Sequence, residues 1–171
     1  MKPSVYQGQY NIICRGFETE IFPLLRAHNI AFNAYSPMAG GFLLGNFTAE
    51  GVQGGTRFHL RTPFNVWYDK PELHEAIKRY GALSERVGIG MDELSLRWIV
   101  HHSALGEGDG VIMGYGKIES LAKNMEMIRK GPLDDAVVRE LEAWSGSARE
   151  ASLSIVTFSY SVEGIKQVFG G

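Results

Sequence analysis

The sequence predicts an α/β fold built on parallel strands, and three features indicate it. Short apolar runs alternate with amphipathic helical patterns, which is the order of strand–helix–strand units. The connections are short, and a helical crossover joins parallel strands, unlike a hairpin. The apolar run that starts at Ile30 ends at Ser36 and continues into Gly40, Gly41 and Gly45. Such glycines let the backbone approach a ligand at a strand's carboxyl end, although an ordinary flexible turn is the alternative.

Composition places the chain among globular proteins and limits its partners. Its 171 residues are 44% hydrophobic and 21% charged, which suits one domain with a core. A net charge of -2 gives no electrostatic case for binding nucleic acid or an anionic membrane. The apolar runs are shorter than a membrane span, and no apolar signal region follows the N-terminus. The single cysteine, Cys14, cannot form an internal disulfide and fits a reducing, cytoplasmic location.

The first strand–helix–strand unit begins with a strand over residues 4–11, which are rich in β-branched and aromatic side chains. A helix is predicted over residues 16–29. Its apolar face has helical spacing and consists of Phe17, Ile21, Leu24 and Leu25. Pro23 conflicts with this pattern and predicts a kink or a restart of the helix. A second strand begins at Ile30.

Residues 47–70 have the composition of a long loop, with three glycines, two arginines and a proline. The aromatic side chains scattered through it are Phe58, Phe64, Trp67 and Tyr68. Long ordered loops in compact domains usually serve as lids or binding loops. We therefore predict a binding loop here, with a solvated insertion as the alternative.

Four helices and one strand follow. The helices are predicted over residues 71–87, 91–103, 117–129 and 133–145, and the strand over 111–113. Pro71 begins the first of these helices and Gly88 ends it, which is the usual asymmetry. The apolar positions of the four helices are Leu73, Ile77, Tyr80, Leu83, Leu94, Trp98, Ile99, Ile118, Leu121, Met125, Ile128, Val137, Val138, Leu141 and Trp144. Residues 153–160 have strand propensity but no partner in the parallel pattern.

These elements leave two architectures open. Three strands in strand–helix order form either a small open α/β sheet or a piece of a larger barrel. A closed (β/α)8 barrel needs eight strands and typically about 250 residues.

The sequence predicts no metal site and no nucleophile. His101 and His102 are adjacent, so on a helix they point about 100° apart and cannot face one ion. The other histidines are scattered, and Cys14 is interpreted as structural. Residues 88–90 (GIG) are only a fragment of a dinucleotide fingerprint, and no strand precedes them.

A phosphate site is the better-supported prediction. Gly114, Tyr115 and Gly116 lie between a strand and a helix that opens with Lys117. Unpaired N–H groups at a helix N-terminus attract anions, and a lysine adds a full charge. A glycine-rich turn with a solvated lysine is the alternative. Arg57 is a second candidate phosphate ligand, or an ordinary surface arginine.

Four segments occur in an order that is typical of one family. They are residues 5–11 (VYQGQYN), 34–43 (AYSPMAGGFL), 96–105 (LRWIVHHSAL) and 108–114 (GDGVIMG), the last continuing to Asn124. Together they resemble the C-terminal half of the aldo-keto reductases, in particular the aflatoxin-aldehyde-reductase type and its fungal relatives. The resemblance implies a partial (β/α)8 TIM barrel, with strands six to eight and flanking helices. Residues 1–148 form this half, and residues 149–171 form a divergent tail.

The resemblance also implies contacts with NADP(H). Gln7 is placed at the nicotinamide carboxamide, Tyr35 at the nicotinamide ring, and residues 36–46 around the pyrophosphate. Arg57 and residues 115–124 are placed around the adenosine 2′-phosphate, with Asn124 towards the adenine. The implied cofactor residues are Gln7, Tyr35, Ser36, Pro37, Met38, Gly40, Gly41, Asn46, Arg57, Tyr115, Gly116, Lys117, Ser120 and Asn124. Trp67 and Tyr68 are placed at the substrate mouth.

Two departures from the family pattern affect function. Ser120 stands where an arginine often grips the phosphate, and Lys117 is expected to compensate. The family's catalytic Asp, Tyr, Lys and His lie on strands that precede this segment, so no catalytic residue is assigned here. The tail after Ala148 does not resemble the family's C-terminus.

By resemblance, the expected function is NADPH-dependent reduction of small-molecule aldehydes or ketones to alcohols, in fungal secondary or xenobiotic metabolism. The alternative is a truncated, non-catalytic fragment that binds nucleotide weakly or pairs with another chain. Exposed barrel edges predict association, including a homo-oligomer.

Overall fold

The computed structural model describes residues 3–60 and 63–159, apart from the side chains of residues 60, 63, 64, 147 and 149–159. The strands and α-helices in chain order are β1 Val5–Gln9, α1 Ile21–Ala27, β2 Ala31–Tyr35, β3 Phe47–Thr48, β4 Gly51–Val52, α2 Pro63–Tyr68, α3 Pro71–Val87, α4 Met91–His101, β5 Gly110–Ile112, α5 Ile118–Arg129 and α6 Asp135–Ser159. Short 3₁₀ helices cover Gly16–Glu18, Ala39–Leu44 and Arg57–Leu60. No helix in the described ranges is long and apolar enough to cross a bilayer.

A parallel sheet in the order β1-β2-β5 organises the molecule. This confirms the predicted α/β class and its parallel strands. Tyr35, at the carboxyl end of β2, pairs with Gln9 on one side and Ile112 on the other. The three strands therefore end at the same edge of the sheet.

The two faces of this sheet have different surroundings. Gly8, Phe32 and Ala34 point to a buried face that packs on helices. A Cβ on Gly8 would lie 2.6 Å from the Phe17 ring, so only glycine allows this packing. The opposite face is open at the start of β1, where Val5 is 47% exposed, whereas Gln9 at the end of that strand is fully buried.

Asp109 fixes the start of β5 against α1 and β2. Its carboxylate is 1% exposed and pairs with Arg26. It also accepts the backbone N–H of Phe32 at 2.7 Å and of Gly106 at 2.8 Å. A carboxylate that accepts several charge-assisted bonds holds these segments in one register.

The helix predicted over residues 16–29 is divided. A 3₁₀ turn at Gly16–Glu18 is followed by α1, and the helix restarts at Ile21, two residues before Pro23. Proline in the first turn of a helix is tolerated because its missing N–H has no intrahelical acceptor there. The prediction that Leu24 belongs to the apolar face is wrong: Leu24 is 54% exposed, and Phe22 is buried instead.

The long loop predicted over residues 47–70 is also wrong. This segment contains the antiparallel pair β3–β4, the 3₁₀ helix Arg57–Leu60 and α2. Phe58 and Tyr68 are buried against Phe42, with Tyr68 stacked on Phe42 at 4.9 Å between ring centroids, and the buried Phe47 packs on Phe58. Burial of these aromatic rings offsets the conformational freedom of the glycines between them.

Helix α3 has the predicted range, and α4 begins at Met91 as predicted but ends at His101, two residues before the predicted end. The predicted apolar positions of both helices are buried. Helix α6 packs on α3 through Trp144. Its ring stacks on Tyr80 at 4.4 Å, and its Nε1 donates to the Ala76 carbonyl at 2.7 Å.

Two predictions for the last helices need correction. In α5, Ile118 is 71% exposed, whereas Asn124 and Met127 are buried. Helix α6 continues to Ser159, so the strand predicted over residues 153–160 is absent as far as Ser159. Residues 160–171, which complete the predicted tail, lie outside the described residues.

Candidate functional site

A cleft of about 390 Å³ lies where β2 and β5 end. This volume is within the range of about 300–1,000 Å³ that is typical of small-molecule sites. Its walls come from the end of β2, the 3₁₀ segment that follows, Arg57 and the segment after β5. The lining residues are Tyr35, Ser36, Pro37, Met38, Gly40, Gly41, Leu44, Asn46, Arg57, Ile112, Met113, Gly114 and Tyr115.

The loop after β2 has an unusual concentration of left-handed backbone. Two of its non-glycine residues have positive φ, Ser36 at 55° and Ala39 at 52°. Gly40 and Gly41 follow with φ of 67° and 102°. Left-handed non-glycine residues persist only where their surroundings fix them, and they cluster at ligand sites. The backbone of this loop is therefore held in a defined conformation along one side of the cleft, and we refer to it as the wall of the cleft.

Hydrogen bonds hold this wall in place. The Asn11 side chain is fully buried, and its Nδ2 donates to the Ser36 carbonyl at 3.0 Å. Within the loop, the backbone N–H of Ala39 donates to the Ser36 carbonyl at 2.9 Å. A Cβ on Gly41 would lie 2.8 Å from Nδ2 of Asn46. The absence of a side chain at Gly41 thus allows Asn46 to lie against the loop.

A smaller cleft of about 310 Å³ adjoins the first and shares Met113 and Tyr115 with it. It is also lined by Gly116, Lys117, Ile118 and Leu121. Lys117 is the N-cap residue of α5, and no side chain caps the first turn of that helix. The first N–H groups of α5 and the Lys117 ammonium therefore offer positive potential on this side.

The charge of the two clefts has one sign. Arg57 lines the main cleft and Lys117 the side cleft, while none of the described lining residues is an aspartate or glutamate. Low-dielectric walls with charge of one sign concentrate the opposite charge. The pair of clefts consequently favours an anionic ligand of extended shape.

Tyr115 separates the two clefts. Its hydroxyl accepts a hydrogen bond from Asn124 Nδ2 at 2.7 Å and donates to Met113 Sδ at 3.2 Å. Asn124 is 6% exposed and lines neither cleft.

The sequence comparisons agree with this geometry. The family model of the aldo/keto reductase family matches residues 1–145. This chain belongs to the aldo/keto reductase family. It is 38% identical to an aldo-keto reductase of Pseudocercospora fijiensis over 84% of this chain and 51% of the relative. It is also 38% identical to human aldo-keto reductase family 7 member A3, over 83% of this chain and 47% of that protein.

Aflatoxin B1 aldehyde reductase member 2 of Homo sapiens is a third relative, 38% identical over 86% of this chain and 45% of its own length. The chain thus spans about half the length of the curated relatives it matches. The aldo/keto reductases are (β/α)8 barrels that typically use a nicotinamide cofactor to reduce carbonyl groups. The parallel sheet β1-β2-β5 with its helices is consistent with part of such a barrel.

The structure brings together most of the residues that the family resemblance placed at the cofactor. Those that line the main cleft are Tyr35, Ser36, Pro37, Met38, Gly40, Gly41, Asn46, Arg57 and Tyr115. Gly116 and Lys117 line the side cleft. Their individual roles remain predictions, but their proximity does not depend on the resemblance.

Three of the predicted cofactor residues line neither cleft. Gln7 is exposed on the open face of the sheet, in register with Asn33. Ser120 is exposed in the first turn of α5, and Asn124 is buried behind Tyr115. Their contacts with a cofactor remain predictions.

The two residues placed at the substrate mouth have different surroundings. Trp67 is partly buried in α2. Tyr68 is fully buried, its hydroxyl accepts a hydrogen bond from Gln9 Nε2 at 2.6 Å, and it lies 3.9 Å from Cys14 Sγ. The contact of Tyr68 with a substrate stays a prediction. The complete burial of its side chain does not favour it.

Sequence reasoning missed two residues that line the main cleft, Ile112 and Met113, whereas Leu44 and Gly114 fell within the predicted pyrophosphate and phosphate segments. Leu44 lies within the glycine-containing segment. Ile112 ends β5, and Met113 and Gly114 follow it. Their position at the carboxyl end of a parallel strand could have indicated that they line the site, because parallel strands end at a common edge where ligands bind.

Among the described residues, no group of three or more His, Cys, Asp or Glu side chains is arranged to hold a metal ion.

Proposed function

We propose that this chain carries the NADP(H)-binding part of an oxidoreductase that reduces aldehydes or ketones to alcohols. The observation that carries the proposal is the pair of adjoining clefts, which have a wall of left-handed backbone and one basic side chain each. An extended dinucleotide with several phosphates matches this distribution of shape and charge.

The residues of the main cleft fit the pyrophosphate and nicotinamide end of the cofactor. Gly40 has no side chain, so phosphate oxygens can approach the backbone closely at this position of the wall. Tyr35 lies at the end of β2 beside this wall, where its ring can pack against the nicotinamide. Gln7 lies on the same open face of the sheet, earlier along β1. Bound NADPH would supply the hydride, and these residues would bind and orient it.

The residues of the side cleft fit the adenosine end. Lys117 and the free N–H groups of α5 can hold the phosphate that distinguishes NADP from NAD. Arg57 adds a second positive charge across the main cleft. Ser120, in the first turn of α5, supplies no charge. NADP preference is therefore assigned to Lys117 and Arg57.

In the complete family barrel we assign β1, β2 and β5 to strands six, seven and eight. Residues 1–148 would form the C-terminal half of that barrel, and residues 149–171 a tail specific to this chain. Parallel order and the site at the carboxyl ends support this assignment.

Carbonyl reduction also needs a group that protonates the forming alkoxide. Two of the described tyrosines, Tyr10 and Tyr68, are poorly suited to this. Burial, together with the hydrogen bond to Glu18, raises the pKa of Tyr10 above its usual range. Burial raises the pKa of Tyr68 well above its usual range. The proton donor is therefore proposed to come from outside this chain's described residues, and no catalytic residue is assigned here.

The second candidate function is a non-catalytic nucleotide-binding chain that pairs with another polypeptide. The burial of Tyr10 and Tyr68, which makes both hydroxyls weaker acids, favours it for the chain acting alone. The two candidates share the same nucleotide site and differ in whether turnover occurs.

The test is a titration of the purified chain with NADPH, followed by the blue shift and enhancement of nicotinamide fluorescence, and by calorimetry. We expect saturable binding, with NADPH bound more tightly than NADH. A chain that retains its helical circular dichroism but binds neither cofactor would refute both candidates.

A further inference from the structure

Side chains from the end of α4 hold the short connection between α5 and α6. Arg97 Nε donates to the Gly131 carbonyl at 2.8 Å, and its Nη2 donates to the Pro132 carbonyl at 2.7 Å. At the next residue the connection itself is the donor, because the backbone N–H of Leu133 donates to Nε2 of His102 at 2.8 Å. An arginine keeps its charge, whereas a histidine titrates near neutral pH. Of these two side chains, His102 is therefore the one that responds to pH.

The hydrogen bond from Leu133 fixes the protonation state of the His102 ring. A backbone N–H can only donate, so Nε2 carries a lone pair and the ring is neutral, with its proton on Nδ1. Protonation of the ring adds an N–H at Nε2, and two donors then face each other. Because Leu133 is 3% exposed, its N–H is left without an acceptor in a buried position, which is unfavourable.

Ionisable groups from two helices surround the His102 ring. Burial lowers the pKa of His102 from its usual value of 6.5, and His101 and Arg97 on α4 lower it further. Asp135 and Glu142 on α6 act in the opposite direction. Since the pKa is lower in the folded than in the unfolded chain, the stability that this bond contributes is present above about pH 6.5. It is lost as pH falls from there through the folded-state value.

We propose that His102 is a pH-sensitive latch. Its neutral ring holds the segment that leads into α6 on the end of α4, and its protonated ring releases that segment. Leu133 lies two positions before Asp135, the first residue of α6. The latch therefore acts at the junction between two helices, where the backbone path can change without breaking either helix. Gly131 lies in the same turn with φ of 83°, and a Cβ there would meet nothing within 4 Å, so packing does not restrain the turn at that residue.

Release is confined to this junction, because other contacts hold the helices when the latch opens. The ion pairs Asp92–Lys123 at 3.1 Å and Glu93–Lys130 at 2.6 Å join α4 to α5. Trp144 holds α6 on α3 through the hydrogen bond of its ring nitrogen. None of these contacts requires a neutral histidine. The junction lies outside both clefts, so the latch does not depend on the proposed nucleotide site.

Hydrogen–deuterium exchange of the full chain at pH 7.5 and pH 5.5 tests the latch, measured by mass spectrometry in peptides that cover residues 130–135. Dividing each rate by that of the same unstructured peptide removes the intrinsic pH dependence of exchange. His102→Gln keeps an acceptor oxygen but does not titrate, and His102→Phe removes the acceptor at both pH values. His28→Gln, at an exposed position at the end of α1, is the matched control.

We expect the wild type to lose protection in these peptides at pH 5.5, by up to about tenfold for each pH unit below the usual histidine pKa. Peptides from α3 should keep their protection. His102→Gln should stay protected at both pH values, and His102→Phe should be poorly protected at both. His28→Gln should behave like the wild type.

Three results would overturn the latch: no loss of protection in the wild type, an equal loss in His102→Gln, or a loss that extends equally to α3, which is global unfolding by acid. Should His102→Gln fail to fold, the histidine rings of the wild type are titrated in long-range ¹H–¹⁵N spectra. The bond from Leu133 requires the neutral ring and must lower the midpoint of His102. A midpoint at or above that of the exposed His28 would therefore show the latch to be wrong.

Discussion

The shape of the main cleft depends on Gly41, because this residue has no side chain and adopts a positive φ. Its φ of 102° is rarely adopted by residues with a side chain, and a Cβ would lie 2.8 Å from Asn46 Nδ2. We expect Gly41→Ala to lower the free energy of unfolding by about 1–3 kcal/mol and to weaken NADPH binding.

The matched control is Gly114→Ala in the same cleft, where a Cβ would meet nothing within 4 Å and φ is not positive. Urea denaturation and NADPH titration of both variants measure the two effects. Equal behaviour of the two variants would show that the loop adapts to a side chain.

We predict that the two basic residues of the clefts, Arg57 and Lys117, bind the 2′-phosphate that distinguishes NADP from NAD. Arg57→Ala combined with Lys117→Ala removes both, and loss of a charge-assisted hydrogen bond costs about 1.5–3 kcal/mol. NADPH binding should therefore weaken at least about tenfold more than NADH binding. Isothermal titration of both cofactors measures the ratio.

Arg129→Ala is the control for that experiment, because it removes one exposed positive charge at the far end of α5. It should change neither affinity by more than a small factor. Equal weakening of NADPH and NADH by the double variant would place both residues at phosphates that the two cofactors share.

Because the thiol of Cys14 is buried, we predict that the stability of the protein falls at alkaline pH. Burial raises the pKa of its thiol to about 12 from a usual value near 9. Between these values the unfolded chain releases the proton first, so it binds fewer protons than the folded chain. The free energy of unfolding therefore falls as pH rises from about 9, by up to about 1.4 kcal/mol per pH unit.

Urea denaturation of the wild type and of Cys14→Ala at pH 8 and pH 10.5 tests this. The wild type should lose more stability over this interval than Cys14→Ala, because the variant lacks the contribution of the thiol. Parallel losses in the two proteins would mean that the thiol does not titrate with unfolding.

At the scale of elements, the contact between α3 and α6 depends on Trp144. Trp144→Phe keeps an aromatic ring against Tyr80 but removes the 2.7 Å bond to the Ala76 carbonyl. Loss of this bond should lower the free energy of unfolding by about 1 kcal/mol or more, since the Ala76 carbonyl loses a partner. Thermal melts followed by circular dichroism measure it, and an unchanged midpoint would show that the stack alone holds α6.

Elements with strong local signals were predictable from the sequence. Pro71 and Gly88 delimit α3 because each residue stabilises the helix end at which it stands. The segment over residues 47–70 was not predictable in the same way. Its structure depends on Phe58 and Tyr68 packing against Phe42, which is a tertiary contact that no local pattern contains.

The same contrast applies to the clefts. Strand ends and glycines indicated where Ser36, Gly41 and Lys117 would gather. The exposure of Ile118 and the burial of Asn124 depend on how α5 rotates against its neighbours, and both positions fit a helical period. Periodicity finds a helix but leaves its rotation to packing.

At the scale of the whole molecule, the sheet has unpaired edges. Within the described residues, β1 and β5 each pair only with β2. Val5 at 47% and Ile112 at 40% exposure lie on the open face. Unpaired edges and exposed apolar side chains promote association. We expect the purified chain to be oligomeric, with a mass by light scattering that rises with concentration and a broad thermal transition. A monodisperse monomer with a sharp transition would contradict this.

Catalysis is the property for which the whole barrel matters. In hydride transfer to a carbonyl, the oxygen gains negative charge, and a positioned acid contributes about 10²–10⁴-fold. In this chain the Tyr10 hydroxyl donates to Glu18, Tyr68 is buried against Gln9, and Tyr115 is bonded to Asn124. Each of these hydroxyls has a structural partner, and burial raises the pKa of Tyr10 and Tyr68, which makes both weaker acids. We therefore expect that binding of NADPH in the two clefts does not by itself give turnover.

The purified chain should accordingly show no NADPH oxidation above background with a panel of aromatic and short-chain aldehydes, measured at 340 nm. The N-terminal half of a relative such as human aflatoxin B1 aldehyde reductase member 2, added as a separate polypeptide, should restore turnover where the two halves dock. That gain should disappear in the Arg57→Ala and Lys117→Ala double variant, because the cofactor site comes from this chain. Robust reduction by this chain alone, from a host that lacks its own reductases, would mean that one of its own tyrosines acts as the acid. Phenylalanine substitutions at Tyr6, Tyr10, Tyr35, Tyr68 and Tyr115 would then identify it.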